Sequence, residues 1–518
     1  MRFLHSYPAT FLSVALLATV CAQADTIVLV PPARGTLVER HPVRTLTISP
    51  SDFAAVLAAT HSGSLLLKLA GAPKCGIEVF KLEYYTVGAG GEPTTASAAV
   101  MVPKGKDLQC RGHRPALLYA HGTELARSFD IGNIKDIDGN DEGTGVAAVF
   151  AAQGYVVVAP NYAGYDTSTL TYHPYLNADQ QSKDMVDGLT AAHRAFPEVL
   201  GGAKITDSGE LFVSGFSEGG HVAMATHRAL QALGIPVTAS VPMSGPYALA
   251  AYADEIVFGR VGFLTPPELT LIISSYQHAY GNIYSVATDI VQPRYAGNID
   301  LLPTTDPNIF TQHQLPLLQL FASQPPTPEF ASITPATTPA DMALLFALGF
   351  GPNHLITNNF RLQYLLDAQA HPDGGWPITT TNRPAVRPQH TLRQAFVRND
   401  LRNWVPTSPL MTCAGSGDLG FVNDQLMERY WKSVGAATLT SALNIDSPPL
   451  SPVDPFGALK TGFAAGKEAI AASAVAHGAT DGGALAVLES YHTALEEPYC
   501  FAAAHVFFEL QRHLHSNR

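Results

Sequence analysis

Short apolar runs without polar alternation recur along the chain: Pro115-Ala-Leu-Leu-Tyr-Ala120, Tyr155-Val-Val-Val-Ala-Pro160, Leu211-Phe-Val-Ser-Gly215, Val237-Thr-Ala-Ser-Val-Pro-Met243 and Pro409-Leu-Met-Thr-Cys413. Strands covered on both faces give runs of this kind. Between them the period becomes helical. Positions 178–196 space Met185, Val186, Leu189 and Ala192 on one side, a helix is expected from the end of the 211–215 run to about 233, and another amphipathic stretch lies at 425–431. Strand and helix in alternation imply an α/β protein with a mostly parallel sheet and right-handed crossovers. Before it, 79–87 and 96–102 flank Gly88-Ala-Gly-Gly-Glu-Pro93 and read as an antiparallel hairpin.

The rhythm breaks twice. Residues 25–75 read as an irregular arm with one short helix near 51–59, capped by Ser51 or Asp52. Residues 245–405 are rich in Tyr, Leu, Pro and helical fragments and show no βα alternation, so they read as a cap inserted between two parts of the core, 76–244 and 406–518. Phe258, Phe263, Tyr276, Tyr280, Phe310 and Phe321 are its large aromatics, either lining a pocket or forming the cap's own core. After 409–413 come a strand at 437–445, a helical insertion at 455–476 and a terminal helix from about 496 to 513.

Composition narrows the class without changing that picture. At 518 residues and 46% hydrophobic the chain buries a large core, and a net charge of −12 with no Lys/Arg cluster excludes a nucleic-acid binder. Residues 1–24 form a signal peptide: Phe11-Leu-Ser-Val-Ala-Leu-Leu-Ala-Thr-Val20 is too short to span a bilayer, and Ala22-Gln-Ala24 suits cleavage before Asp25. A secreted or periplasmic protein without stable membrane insertion is therefore expected. Cys75, Cys110, Cys413 and Cys500 remain after Cys21, an even number that favours disulfides in an exported chain. Three pairings are possible. Cys75–Cys110 and Cys413–Cys500 are preferred, because the second would join two segments that both end at the catalytic centre argued next. No spacing of Cys or His supports a metal.

The chemistry starts at Gly215-Phe-Ser217-Glu218-Gly219, a Gly-x-Ser-x-Gly pattern with a strand before it and a helix after it. That is the context of a nucleophile elbow, in which Ser217 projects from the sheet edge and the N–H of Glu218 faces a developing oxyanion. Ala120-His121-Gly122-Thr123 ends an earlier strand where a second oxyanion donor is required, and Thr123 is the expected donor. Asp418, just past the 409–413 strand, is the expected triad acid. Asp424 is its rival, better read as a favourable charge in the first turn of a helix. The base must follow the acid in the chain. His505 and His513 lie in the last helix, His515 in the tail and His477 at a helix end. His492, in a turn before the terminal helix, is the expected base. His221 sits on the helix after Ser217 and cannot take its proton. Asp136-Ile-Asp-Gly-Asn-Asp141-Glu142-Gly143 begins like a calcium loop but lacks the required glycine at its sixth position and glutamate at its twelfth, so it is expected to be a solvated loop that caps the next helix.

Several stretches together resemble the secretory lipases, bacterial branch, an α/β-hydrolase group: Cys75-Gly-Ile, Thr95-Ala-Ser, Ala120-His-Gly-Thr, Ala159-Pro-Asn-Tyr-Ala-Gly, His173-Pro-Tyr-Leu, Gly215-Phe-Ser-Glu-Gly-Gly-His, Ser244-Gly-Pro-Tyr, Tyr491-His-Thr and Pro498-Tyr-Cys500. The resemblance spans nearly the whole mature chain. It implies an α/β-hydrolase fold with a helical lid, hydrolysis of small-molecule or lipid esters through Ser217, Asp418 and His492, and no cofactor. Leu-Gly-Phe-Val after Asp418 and the acidic loop depart from the pattern. An aromatic-acid or polyester esterase, a peptidase, or an inactive binding protein on the same fold are the alternatives.

Overall fold

The computed structural model describes residues 32–137, 139–373 and 382–516. The signal peptide, Cys21 and Asp138 lie outside the described residues, as does the side chain of His515.

Among the described residues, one nine-stranded sheet carries the fold: β1 (Val43–Ile48), β2 (Gly76–Val87), β3 (Pro93–Lys104), β4 (Gly112–Ala120), β5 (Val156–Pro160), β6 (Ile205–Phe216), β7 (Ala239–Met243), β8 (Leu410–Ala414) and β9 (Thr440–Asn444). They lie in the order β1-β2-β3-β5-β4-β6-β7-β8-β9. β1, β2, β3 and β5 pair antiparallel, and from β5 to β9 every pairing is parallel. Every residue of β5, β7 and β8 is buried, which is why those segments read as unbroken apolar runs. β4 lies between β5 and β6, so the chain winds away from it in both directions, and loops after neighbouring strands diverge there to leave a crevice.

The 25–75 segment is more ordered than the sequence suggests. It contributes β1 and two helices, α1 (Pro50–Ala58) and α2 (His61–Ala70). The α1 cap is Ser49, not Ser51 or Asp52, because Pro50 fits the first helical position and has no N–H to cap. Downstream come α3 (Asp141–Val149), α4 (Ala178–Val199) and α5 (Glu218–Ala232). Between β7 and β8 the chain forms α6 (Leu249–Val257), α7 (Thr265–Tyr280), α8 (Ala343–Leu348), α9 (Asn358–Ala370) and α10 (Thr391–Asn399); α6, α7, α9 and α10 share an apolar core around Leu271, Tyr276, Phe321, Tyr364 and Phe396, and Leu345 and Phe346 of α8 pack in a smaller cluster with Met342. Arg393 locks three of them together, donating to Asp254 of α6 and Asp367 of α9.

After β8 follow α11 (Phe421–Ser433), α12 (Gly457–Ala476) and α13 (Ala484–Ser490). Instead of the turn expected around His492, Tyr491–Glu496 forms a π-helical turn that runs directly into α14 (Glu497–Ser516). A π turn widens the helix by one residue, which re-aims a side chain without breaking the backbone ladder.

Candidate active site

β6 ends at Phe216 and α5 starts at Glu218, so Ser217 alone makes the turn between them. It does so at φ 57° and ψ −121°, a conformation that costs an L-residue about 1–3 kcal/mol. The surroundings hold it there: its N–H donates to Met243 O at 3.0 Å, and its carbonyl accepts from Gly220 N at 2.9 Å. The flanking glycines are steric necessities. A Cβ on Gly215 would stand 2.2 Å from Gly219 O, and one on Gly219 would stand 2.0 Å from Ala120 O. Glu218 N–H, at the first position of α5, is among those a helix leaves without an internal partner.

The loop after β4 is held from behind. Gly122 N–H donates to both carboxyl oxygens of Glu142, at 2.9 and 3.0 Å, and Tyr119 Oη–H donates to the same group at 2.5 Å. Thr123, the next residue, has no acceptor for its N–H among the described residues, and its hydroxyl pairs with Tyr175 Oη at 2.7 Å. Thr123 itself does not border the cavity described below, although Tyr175 does. The acidic loop therefore differs from the expectation. Asn140 does cap α3, but Glu142 is buried rather than solvated, and burial pushes its carboxyl up to about 8 against the pull of Tyr119 and Gly122. His121 faces inward too, with Nδ1 2.7 Å from Gly122 O and Nε2 3.2 Å from Asn161 O.

On the other side of the elbow, His492 Nδ1 hydrogen-bonds Asp418 Oδ2, and Asp418 Oδ1 accepts from Gly420 N at 2.7 Å. Asp418 is nearly buried, whereas His492 keeps 37% of its side chain exposed where it borders the cavity. Burial alone would lower the imidazole pKa. The Asp418 charge and hydrogen bond outweigh it and hold His492 well above its ordinary value. Asp418 moves the opposite way: burial would raise it, but the His492 charge and the hydrogen bonds around it keep it below the usual carboxylate range. The Phe216 ring lies 4.7 Å from the imidazole. Cys413, at the end of β8, is bonded to Cys500 of α14, and Cys75 is bonded to Cys110.

Asp424 is in the first turn of α11, yet it is buried instead of exposed to solvent, and burial pushes it up to about 7. His477 ends α12 in an exposed position. His221 is buried with Nε2 2.9 Å from Asn399 O. His505 packs edge-on against Phe150 and Tyr155.

Ser217, Glu218, Asp418 and His492 all border one cavity of about 240 Å³. Its walls are mostly apolar, with Leu249, Ile256, Phe263, Ile272, Phe321 and Phe396 among them. Of the aromatics singled out from the sequence, Phe263 and Phe321 line it. Phe258, Tyr276, Tyr280 and Phe310 instead pack with the helices between β7 and β8. Glu268, in the first turn of α7, also borders the cavity, and burial pushes its carboxyl up to about 7.

Four groups escaped the sequence reading. Glu142 was assigned to solvent. The Glu218 side chain, considered only for its N–H, accepts from Gln181 Nε2 at 2.6 Å and meets His173 Nε2 at 2.7 Å, tying the elbow to the loop before α4. His173 stands in a quoted motif but had no role. Glu496 follows His492 by four residues, a helical spacing that points two side chains the same way.

The sheet order, the single-residue elbow after β6 and the helices between β7 and β8 define an α/β-hydrolase fold. The comparisons agree. The esterase LipA of Xanthomonas oryzae, described as degrading rice cell walls, matches with 26% identity over 80% of this chain and 91% of its own, at a TM-score of 0.60. A Legionella pneumophila protein provisionally described as a hydrolase shares the fold at 18% identity, covering 82% and 95% of the two chains with a TM-score of 0.57. The structural neighbours of this chain thus include an esterase, and the fold is shared with a further protein described as a hydrolase. No family model matches it, and no curated protein does.

Proposed function

We propose that the protein is a serine carboxylic ester hydrolase acting through an acyl-enzyme, and that it is exported after loss of residues 1–24. The observation that carries this reading is the strained Ser217 on the wall of the same cavity as a His492 already hydrogen-bonded to Asp418. In the first step Ser217 Oγ attacks the ester carbonyl while His492 Nε2 takes its proton. Asp418 holds the imidazole in the tautomer with its proton on Nδ1 and stabilises the imidazolium that forms. The N–H groups of Thr123 and Glu218 receive the oxyanion, and the imidazolium gives its proton to the departing alcohol. Water repeats the attack and releases the carboxylic acid. Side chains and backbone of this chain supply every group in these steps, so no cofactor is needed.

On this reading residues 245–405 are a lid over the acyl site, and the apolar walls take the acyl chain of a small-molecule or lipid ester. Kinship with the secretory lipases belongs to the same proposal. Hydrolysis of p-nitrophenyl esters from acetate to palmitate, compared between wild type and Ser217→Ala, tests it. Ser217→Ala should lose activity by a factor of about 10⁴ or more. Equal rates in the two proteins refute the assignment, and the acyl-length profile separates an esterase from a lipase.

A further inference from the structure

Glu496 stands behind the proposed triad, fully buried, at the last position of the π turn that carries His492. Its Oε1 accepts the backbone N–H of Gly415, in the loop leading to Asp418. Its Oε2 is 3.5 Å from His492 Nδ1, too far for a good hydrogen bond, and finds no donor among the described residues. The polar atoms of Asp418, His492 and Glu496 nevertheless lie within 4.8 Å of one another. The Glu496 carboxyl therefore lies beside the Asp418 carboxyl, and two ionised carboxyls have no hydrogen bond to make. The contact becomes a hydrogen bond only if one of the two oxygens carries a proton. Asp418 already receives His492 Nδ1 and Gly420 N–H, so the proton belongs on Glu496.

We propose that Glu496 is a positioning residue: a neutral carboxylic acid that donates to Asp418, accepts from Gly415, and so fixes the triad acid while leaving a single negative charge behind His492. The inference rests on the Ser217–His492–Asp418 reading. The surrounding groups favour the neutral form. Burial and then the Asp418 charge raise the Glu496 pKa well above the ordinary range, whereas His492 opposes. Tyr247 and Tyr491, the other titratable neighbours that feel its charge, are both held neutral by burial. Asp424 acts on Asp418, and Glu268 and Glu497 interact with His492. All three are pushed up by burial, Glu268 and Asp424 to about 7, so they add little negative charge at mildly acidic pH.

In an α-helix, residues at positions i and i+4 share one face. His492 borders the cavity, and Glu496, one turn further on, is buried and reaches the β8 loop.

The test uses the full secreted chain and p-nitrophenyl butyrate. Activity in wild type and its loss in Ser217→Ala first establish the underlying reading, and only then are Glu496 variants informative. Glu496→Leu keeps the volume but has no donor. It should lose kcat by about tenfold or more with KM little changed, and the acid limb of kcat/KM should move to higher pH, because an unassisted Asp418 is the stronger base. Glu496→Gln restores a neutral donor. It should recover kcat to within about fivefold of wild type, with the acid limb within about 0.3 pH unit of the wild-type position. An ionised Glu496 predicts otherwise: Glu496→Gln would then remove a charge beside His492 and drop the limb by about one unit or more. Either that drop or a fully active Glu496→Leu overturns the proposal. If Glu496→Leu fails to fold by circular dichroism, the Glu496→Gln profile still decides.

Discussion

Replacing Gly219 by alanine probes how tightly the elbow is built. The added methyl carbon would lie 2.0 Å from Ala120 O, 2.6 Å from Ala120 C and 2.6 Å from His121 O. Carbon and oxygen need about 3 Å at the least, so one side must yield by about 1 Å. The obstacle is backbone rather than a side chain that can rotate aside. Ala120 is the last residue of β4 and stands in register with Gly215 of β6, so the strand end cannot retreat without breaking its ladder. Overpacking of this kind costs about 1–3 kcal/mol, and the upper end applies where backbone must move. Activity should suffer more than stability, because the displaced segment, Ala120 to Thr123, carries the proposed oxyanion donor. A 1 Å misplacement of a catalytic group lowers the rate by about 10²-fold. The assay pairs urea unfolding with kcat and KM on p-nitrophenyl butyrate. Gly201→Ala is the control, since its Cβ meets nothing within 4 Å, and it should stay within about 0.5 kcal/mol of wild type. If Gly219→Ala retains kcat within about threefold and unfolds at the wild-type urea concentration, β4 and α5 are not packed as described.

Asp418→Asn should lower kcat by about 10³–10⁴-fold with KM nearly unchanged, because an amide favours the wrong imidazole tautomer. Steady-state kinetics on a folded variant settle it, and a loss below about tenfold points to another acid. Removing the Cys413–Cys500 bond as the double alanine variant releases a closure 87 residues apart in sequence, which chain entropy values at about 4–5 kcal/mol at most. Guanidinium unfolding should show a loss of at least about 2 kcal/mol, and a change under about 0.5 would refute a structural role. Stability should also fall as pH rises. Burial lifts Glu142 to about 8 and Asp424 to about 7. Groups raised in the folded state contribute fully below their unfolded values and lose that contribution as pH passes up through the folded ones. The urea midpoint should therefore drop between pH 5 and pH 8, with a slope of up to about 1.4 kcal/mol per pH unit for each proton released. A flat or rising profile would falsify the neutral assignment of these acids.

What the sequence disclosed follows from where the signal was local. A strand covered on both faces cannot hide its apolar run, and so tight a turn cannot dispense with Gly215 and Gly219, so the α/β class and the place of Ser217 between β6 and α5 were legible. β1 and α2 were not. β1 is an edge strand exposed along most of its length, so Val43–Ile48 has no uniform apolar run, and α2 buries only Gly63 and Leu66. Tyr276 and Phe310 show a second limit. An aromatic residue has the same identity whether it faces a cavity or a neighbouring helix, and only tertiary packing assigns it. The acids failed for a third reason. Glu142 looks like any loop glutamate until Tyr119 and Gly122, distant by 23 and 20 positions, are brought against it.

Those acids share one physical arrangement. A reaction that builds an oxyanion at Ser217 is opposed by every negative charge nearby, yet this chain surrounds the cavity and its supporting loops with Glu142, Glu218, Glu268, Asp418, Glu496 and Glu497. Apart from Asp418, each has its pKa raised, with burial the largest cause. A carboxyl whose pKa is raised carries less charge at a given pH and still ties loops together as an acceptor, as Glu142 does for Tyr119 and Gly122. The single exception is the carboxyl that faces His492, where a negative charge stabilises the imidazolium of the proposed mechanism. Burial pushes Asp418 upward as well, so its partners set it apart: the His492 charge and the hydrogen bonds around it keep that one carboxyl ionised. Changing any of the acids whose pKa is raised to its amide should then disturb the reaction less than changing Asp418.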